Sequence, residues 1–364
     1  MGYDSRWWLF QCLDKGRIAL GKDSSVYILI LLYIGIAWLA AWYAGASDRF
    51  SILVYPATTV RVIITLALSA LVVFSSYVAL IVKPPSSVQY VQKSIGRLLC
   101  SEAFFRASGL LIVFSLFFSS VSSFKALIPV LQPFAWDEVF IHLDQVLHVG
   151  KQPWQWLQPV FGYPWVTVAV NAVYNLWFFV MFMVLFWQFL DVRKERRRQA
   201  FLVTFVLTWA INGSLLAMVF SSAGPCFLDR LFPGASHPFT ELMAYLNAVN
   251  ETLPVWAITT QDALWRLYEA QRVDAGAGIS AMPSMHVSVA WLIYLLVRRE
   301  APWMHWLAVL FVAFILIGSV HLGWHYAIDG YFSIASTSLI WWLVGKRAGV
   351  EKPVSACDRD SQEG

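Results

Sequence analysis

Residues 303–344 read WMHWLAVLFVAFILIGSVHLGWHYAIDGYFSIASTSLIWWLV. Two apolar runs, Trp303–Val320 and Ala327–Val344, flank one polar joint, His321 to Asp329. Each run approaches the ~20 mostly apolar residues that a helix needs to cross a bilayer. The pair reads as a helical hairpin whose joint carries two histidines and an aspartate at the membrane edge.

The rest of the chain has the same character. Its 364 residues are 59% hydrophobic, 16% aromatic and 13% charged, with mean hydropathy +0.62. Soluble domains run about 45–50% apolar and about 25% charged. A water-soluble chain could not hide this much apolar surface, so the bilayer is its solvent. A disordered chain, a nucleic-acid binder and an ordinary cytosolic enzyme are excluded. The net charge of +4 is no nucleic-acid signature, because the basic residues sit at the ends of apolar runs. Cys12, Cys100, Cys226 and Cys357 are scattered without CxxC spacing. They read as small apolar filler, neither a metal site nor a disulfide framework.

Six further segments join the hairpin: about Val26–Ala44, Val62–Val82, Ala107–Phe124, Val166–Leu190, Phe201–Ser221 and Ile279–Val297. The expectation is an all-α polytopic membrane protein of about eight transmembrane helices, both termini on one side. Alternating the segments puts 19 of the 26 Lys and Arg on the side of the termini, which assigns that side to the cytoplasm. The first span could be a cleaved signal, since Ala44-Gly45-Ala46 fits the small-residue pattern. Its apolar run is longer than a signal's and follows a polar leader, so a retained helix is expected. The run Arg193–Arg198 reads as a cytoplasmic anchor.

Two long segments face the other side. In the first, Trp136–His148 (WDEVFIHLDQVLH) places Val139, Phe140, Leu143, Val146 and Leu147 at helical spacing, with Asp137, Glu138, Asp144 and Gln145 largely opposite. It reads as a helix lying in the interface. Trp136, Trp154, Trp156 and Trp165 fall near membrane edges. The second, Ser222 to Gly278, is broken by Pro, Gly and Asn.

Ionisable residues at the membrane edge are costly, and here they cluster. Ser280–His286 (SAMPSMH) opens the sixth segment, and Ser319–Asp329 joins the seventh to the eighth. The topology brings both to one face. His325 and Asp329 are four apart, on one helix face. A carboxylate on one ring nitrogen fixes the tautomer and makes the other nitrogen a nucleophile. His286, from another helix, suits the acid that protonates a leaving oxygen. Pro283 and Ser284 can start a helix, where free N–H groups suit a phosphate; Ser284 serves equally as a plain cap. His286, His321, His325 and Asp329 could alternatively hold a metal.

Pro283-Ser284-Met285-His286 followed by Leu322–Asp329 (LGWHYAID) resembles the type 2 phosphatidic acid phosphatase superfamily. The likeness is strongest from about Phe201 to Val344. It implies a six-helix core in which His325 attacks a phosphate ester, Asp329 orients it and His286 handles the leaving-group proton. Two family features are missing. Gly318-Ser319 stands where the third motif has Ser-Arg, and Ser222–Phe227 (SAGPCF) replaces the first motif's lysine and Arg-Pro. Lys125 with Gln132-Pro133 mimics that spacing but follows the third span, and is read as coincidence. The combination is similar to the inositol phosphorylceramide synthase-like branch, as is Phe124 through Trp154.

The resemblance implies a lipid phosphotransferase or phosphatase acting through phosphohistidine on the outer face. The phosphate-binding residues would be Ser284, Arg230, Ser319, His321 and Gly224. Lys125, Lys151, Arg266 and Arg272 are the other outer-face cations near the motifs. No metal or organic cofactor is implied. The partners are a phospholipid or sphingolipid-like substrate and the bilayer. The expected divisions are 1–106, with two accessory helices; 107–344, catalytic; and 345–364, a cytoplasmic tail. A lipid phosphate monoesterase, and a transport or lipid-binding protein without catalysis, are the rival readings.

Overall fold

The computed structural model describes residues 5–349, so most of the expected tail, with Cys357, lies outside the described residues. The described chain is helical without strands. In chain order come α1 (Ser5–Gly21), α2 (Ser24–Tyr43), α3 (Pro56–Val82), α4 (Ser87–Leu99) and α5 (Glu102–Leu131). Next are α6 (Asp137–Leu147), α7 (Pro153–Phe161), α8 (Pro164–Leu190) and α9 (Glu195–Val219). Then follow α10 (Thr240–Thr252), α11 (Trp256–Glu269), α12 (Met285–Val297), α13 (Pro302–His321) and α14 (Ala327–Ala348).

Seven of these, α2, α3, α5, α8, α9, α13 and α14, are long and apolar enough to cross a membrane. The expected span Ile279–Val297 is cut short: its helix begins only at Met285. Pro283 disfavours helix in the residue before it, and Ser284 caps the start by accepting the Val287 amide at 3.4 Å. Thirteen residues rise about 20 Å, less than the ~30 Å hydrocarbon core. The extended backbone ahead of α12 is covered by protein: Ile279, Ala281, Met282 and Ser284 are all buried. Irregular backbone at such depth is tolerated only under that cover.

α5, α8, α9, α12, α13 and α14 pack into one bundle around an apolar core. α2 packs on α5 and α9, and the Tyr33 hydroxyl bonds to the Ser214 hydroxyl at 2.8 Å. α3 stays almost wholly exposed along its length, a face for lipid.

At the end of the bundle that carries both described chain ends, a buried ion cluster ties the accessory helices to the core. Asp23, between α1 and α2, accepts from Arg106 of α5 at 2.8 and 3.0 Å and from Arg198 of α9 at 2.6 and 3.1 Å. All three side chains are fully buried. Burial alone would raise the Asp23 pKa; the two guanidiniums outweigh it and hold the carboxyl below its ordinary value. Arg198 is therefore an interior ion-pair partner, not the surface anchor expected. Cys12 and Cys100, expected to be filler, form a disulfide; the third described cysteine, Cys226, is buried and free.

The helix α6 corrects a second expectation. Asp137 and Asp144 face the protein together with Phe140, whereas Val139, Leu143, Val146 and Leu147 face out. Asp137 and Asp144 are 3% and 1% exposed, whereas Val146 and Leu147 are 63% and 55% exposed. A helix at a bilayer edge can bury polar residues against protein and offer its apolar stripe to lipid.

Candidate active site

The site lies at the opposite end, where the C-terminal ends of α5, α9 and α13 meet the N-terminal ends of α12 and α14. Its frame is the loop after α9, Ser222 to Phe227. The Ser222 carbonyl accepts the Ala281 amide at 2.9 Å, and its hydroxyl accepts the Met282 amide at 3.2 Å. The Cys226 amide donates to the Gly323 carbonyl at 2.9 Å. One loop thus links the segment before α12 to the joint between α13 and α14.

Gly224 makes that junction possible. Its φ of +96° suits glycine, and a Cβ there would stand 2.7 Å from the Trp324 carbonyl oxygen. Expected to bind phosphate, it has its amide engaged within the protein, donating to Asp137 Oδ1 at 2.9 Å. Asp137 also accepts the Ala223 amide at 3.0 Å and the Tyr326 hydroxyl at 2.8 Å. Asp144, one helical stretch along α6, accepts the Ala327 and Ile328 amides at 2.8 and 3.0 Å, capping α14 with a negative charge. These two aspartates and Tyr326 were missed in the sequence. Their signal was present as two acids seven residues apart on the polar side of a helix read as interfacial.

His325 sits in the joint. The Ser319 carbonyl accepts both the Trp324 and His325 amides, at 3.0 and 3.1 Å. The ring Nδ1 lies 2.8 Å from the Ala281 carbonyl oxygen and 3.3 Å from Asp329 Oδ2. A carbonyl can only accept, so Nδ1 carries the proton and Nε2 keeps its lone pair. The tautomer expected from Asp329 alone is held first by a main-chain carbonyl from the other motif. Burial, and then the positive charge of Lys125, hold the His325 pKa down to about 3, and the Ala281 bond opposes them in part. The ring is neutral near pH 7.

Asp329 is shared. Its Oδ2 also accepts the Tyr326 amide at 3.0 Å, closing the first turn of α14. Its Oδ1, wholly buried, has no hydrogen-bond partner among the described residues.

His286, in the first turn of α12, lies against aromatic rings of α8. Its ring stacks on Tyr174 at 4.6 Å between centroids and lies 4.2 Å from Trp177, whose indole N–H donates to the His286 carbonyl at 2.9 Å. Its centroid is 6.2 Å from that of His325.

The remaining expected residues are elsewhere engaged. Ser284 is the cap of α12. The Ser319 hydroxyl bonds back to the Leu316 carbonyl at 2.8 Å. His321 turns away to the Thr167 hydroxyl at 3.0 Å, so the four-residue metal set considered above does not converge. Arg230 is paired with Asp262 and lies over Trp265. The cation beside the histidines is Lys125 of α5, just past the third expected span, whose backbone is pressed against Gly278, three residues before Ala281.

Paired histidines, a carboxylate and a lysine at one end of a helical bundle define a polytopic membrane protein equipped for chemistry on an anionic group. A family model described as the PAP2 superfamily matches residues 138–343, more than half of the chain, and the chain belongs to that superfamily. Membership supports a phosphatase or phosphotransferase activity in general. No curated protein and no solved structure matches the chain.

Proposed function

We propose that this protein moves a phosphoryl group from one lipid-like alcohol to another through a phosphohistidine on His325. The observation that carries the reading is the 2.8 Å contact from His325 Nδ1 to the Ala281 carbonyl, which leaves the Nε2 lone pair free in a neutral ring. In the first step Nε2 forms a bond to phosphorus as the ester P–O bond breaks, and His286 gives its proton to the departing alcohol oxygen. In the second, an acceptor hydroxyl gives its proton to His286 and bonds to phosphorus, and the N–P bond breaks. Lys125 supplies positive charge to the phosphoryl oxygens, in place of the first-motif cations and of Arg230. Positioning and charge stabilisation carry most of the rate.

An alcohol acceptor makes the enzyme a transferase, and water makes it a phosphatase. One lysine in place of the family's several cations suits a phosphodiester donor, which bears one charge less than a monoester. This favours transfer of a phospho-head group, such as inositol phosphate, onto a ceramide-like alcohol, as in the branch it resembles. The charge asymmetry supports cytoplasmic termini and a site on the outer face.

The test incubates detergent-solubilised protein with a mixed lipid extract, wild type beside His325→Ala, and reads the products by mass spectrometry. Loss of one phospholipid and gain of a new head-grouped lipid, in wild type only, is expected. Release of phosphate from monoesters with diester lipids untouched would overturn the transferase reading. No difference between the two proteins would overturn the catalytic role of His325.

A further inference from the structure

A cavity of about 440 Å³ is lined by Gly278 and Ile279, on the segment that leads to Ala281, and by neither histidine. Its walls come from α5 just past Lys125, from the chain following α11, and from the short turn Ser47–Arg49 between α2 and α3. Leu127, Val130 and Ile279 make an apolar lining, and Arg49, Arg272 and Glu269 supply the charge. Arg49 is half-buried and Arg272 exposed at the cavity mouth, and neither has a side-chain ion pair or hydrogen bond among the described residues.

The turn that carries Arg49 is fastened to the core. The Ser51 amide donates to the Ser123 hydroxyl at 3.0 Å, and that hydroxyl donates to the Ser51 carbonyl at 2.8 Å. The Tyr55 amide donates to the Ser119 hydroxyl at 3.0 Å, and the Tyr55 hydroxyl accepts the Gly276 amide at 2.8 Å. Arg49 is thereby held against the same segment that supplies Arg272 and, further on, Ala281. It lies outside residues 138–343, so the family-matching part alone leaves this cavity without one of its two arginines.

We infer that this cavity binds a second amphiphile by its anionic phosphate head, with Arg49 and Arg272 on the phosphate and the apolar wall on the first carbons of its tail. Two unpaired guanidiniums beside an apolar surface match a lipid phosphate in both parts. One carboxylate, Glu269, leaves a net positive pair-excess of one charge at the mouth. The inference deepens the lipid reading above and rests on it for the choice of probe. It explains what the accessory helices add: a place for a partner lipid beside the reacting one.

The test counts bound molecules of dioctanoyl phosphatidic acid per full-length chain by native mass spectrometry, in a His325→Ala background so that nothing is consumed. Two bound molecules are expected, and one with Arg49→Ala/Arg272→Ala. Each single alanine variant should weaken the second binding about tenfold, the effect of losing one charge-assisted contact. Arg49→Lys, which keeps the charge, should weaken it less than Arg49→Ala. Dioctanoylglycerol, without phosphate, should not fill the second position, and inorganic phosphate at equal concentration should not displace the lipid. A single bound molecule in the parent, or two that ignore both arginines, overturns the proposal. Displacement by free phosphate overturns the lipid as its source. Binding is read independently of turnover, so failure of the phosphohistidine chemistry would show in the extract assay and leave this count intact.

Discussion

The Nδ1 atom of His325 lies 2.8 Å from the carbonyl oxygen of Ala281, a residue 44 positions earlier in the chain. That contact joins the two histidine motifs by a main-chain atom, which no substitution of a side chain removes directly. It also decides which ring nitrogen can act.

The first prediction follows from it. In ¹⁵N-histidine spectra, the His325 ring should remain neutral, with its proton on Nδ1, from pH 8 to pH 5. Its pKa is held down to about 3, against 6.5 for a free ring. The folded state thus resists a proton that the unfolded chain accepts. This contribution to stability is complete above pH 6.5 and declines as pH falls from 6.5 towards 3. A His325 signal that titrates near 6.5 would contradict the buried, carbonyl-bound ring.

Asp137→Asn should impair both folding and turnover. The carboxylate takes two amides and the Tyr326 hydroxyl, and all of these are buried. An amide in its place offers one acceptor and brings an N–H₂ against existing donors. The expected cost is about 2–4 kcal/mol of stability, with kcat reduced further than a distant substitution of equal cost. Tyr326→Phe, which removes one donor only, should cost about 1 kcal/mol. Thermal unfolding beside kinetics checks both, and equal effects of the two variants would refute the shared-acceptor account.

Asp23→Ala should loosen the accessory helices from the bundle. It strands Arg106 and Arg198 in the interior without their shared carboxylate. Breaking a buried pair in this way typically costs about 3–5 kcal/mol. The carboxyl is held below its ordinary pKa, so its stabilisation is present above about pH 4 and is lost as pH falls through the folded value. Limited proteolysis should cut the variant between α4 and α5 before the wild type, and an unchanged cleavage pattern would count against the cluster as the tie.

The disulfide Cys12–Cys100 offers a test of sidedness. In the topology proposed above this end faces the cytoplasm, where thiols are kept reduced. If cells are treated with a polyethylene-glycol maleimide after rapid acid trapping, both cysteines should carry the label, and neither should after oxidation of the purified protein. Protein that is unlabelled at both positions straight from cells would place this end in an oxidising compartment and reverse the topology.

Much of the fold was legible in the chain. Hydrophobic runs of span length mark the α2, α3, α5, α8, α9, α13 and α14 helices because the bilayer demands a continuous apolar stretch, which is a local property. The order of Pro283-Ser284-Met285-His286 and His325–Asp329 was equally local, and it located the candidate site before any packing was known. α12 was overrun by six residues because apolar composition continues through Ile279–Met282, while the backbone there leaves the helix to be covered by protein.

What only the tertiary structure decided is which atoms face His325 and which way each amphipathic element turns. Sequence shows that α6 has two faces; it is the apposition of lipid on one side and amide-rich loops on the other that sends Asp137 and Asp144 inward. Lys125 stands some 200 positions before His325, and its spacing to Gln132-Pro133 looked accidental along the chain. Ala281 is read in a sequence as a methyl group, yet its carbonyl holds the ring. Such partners are set by the close approach of separate helices and by the need of every buried donor for an acceptor, and neither has a local signature.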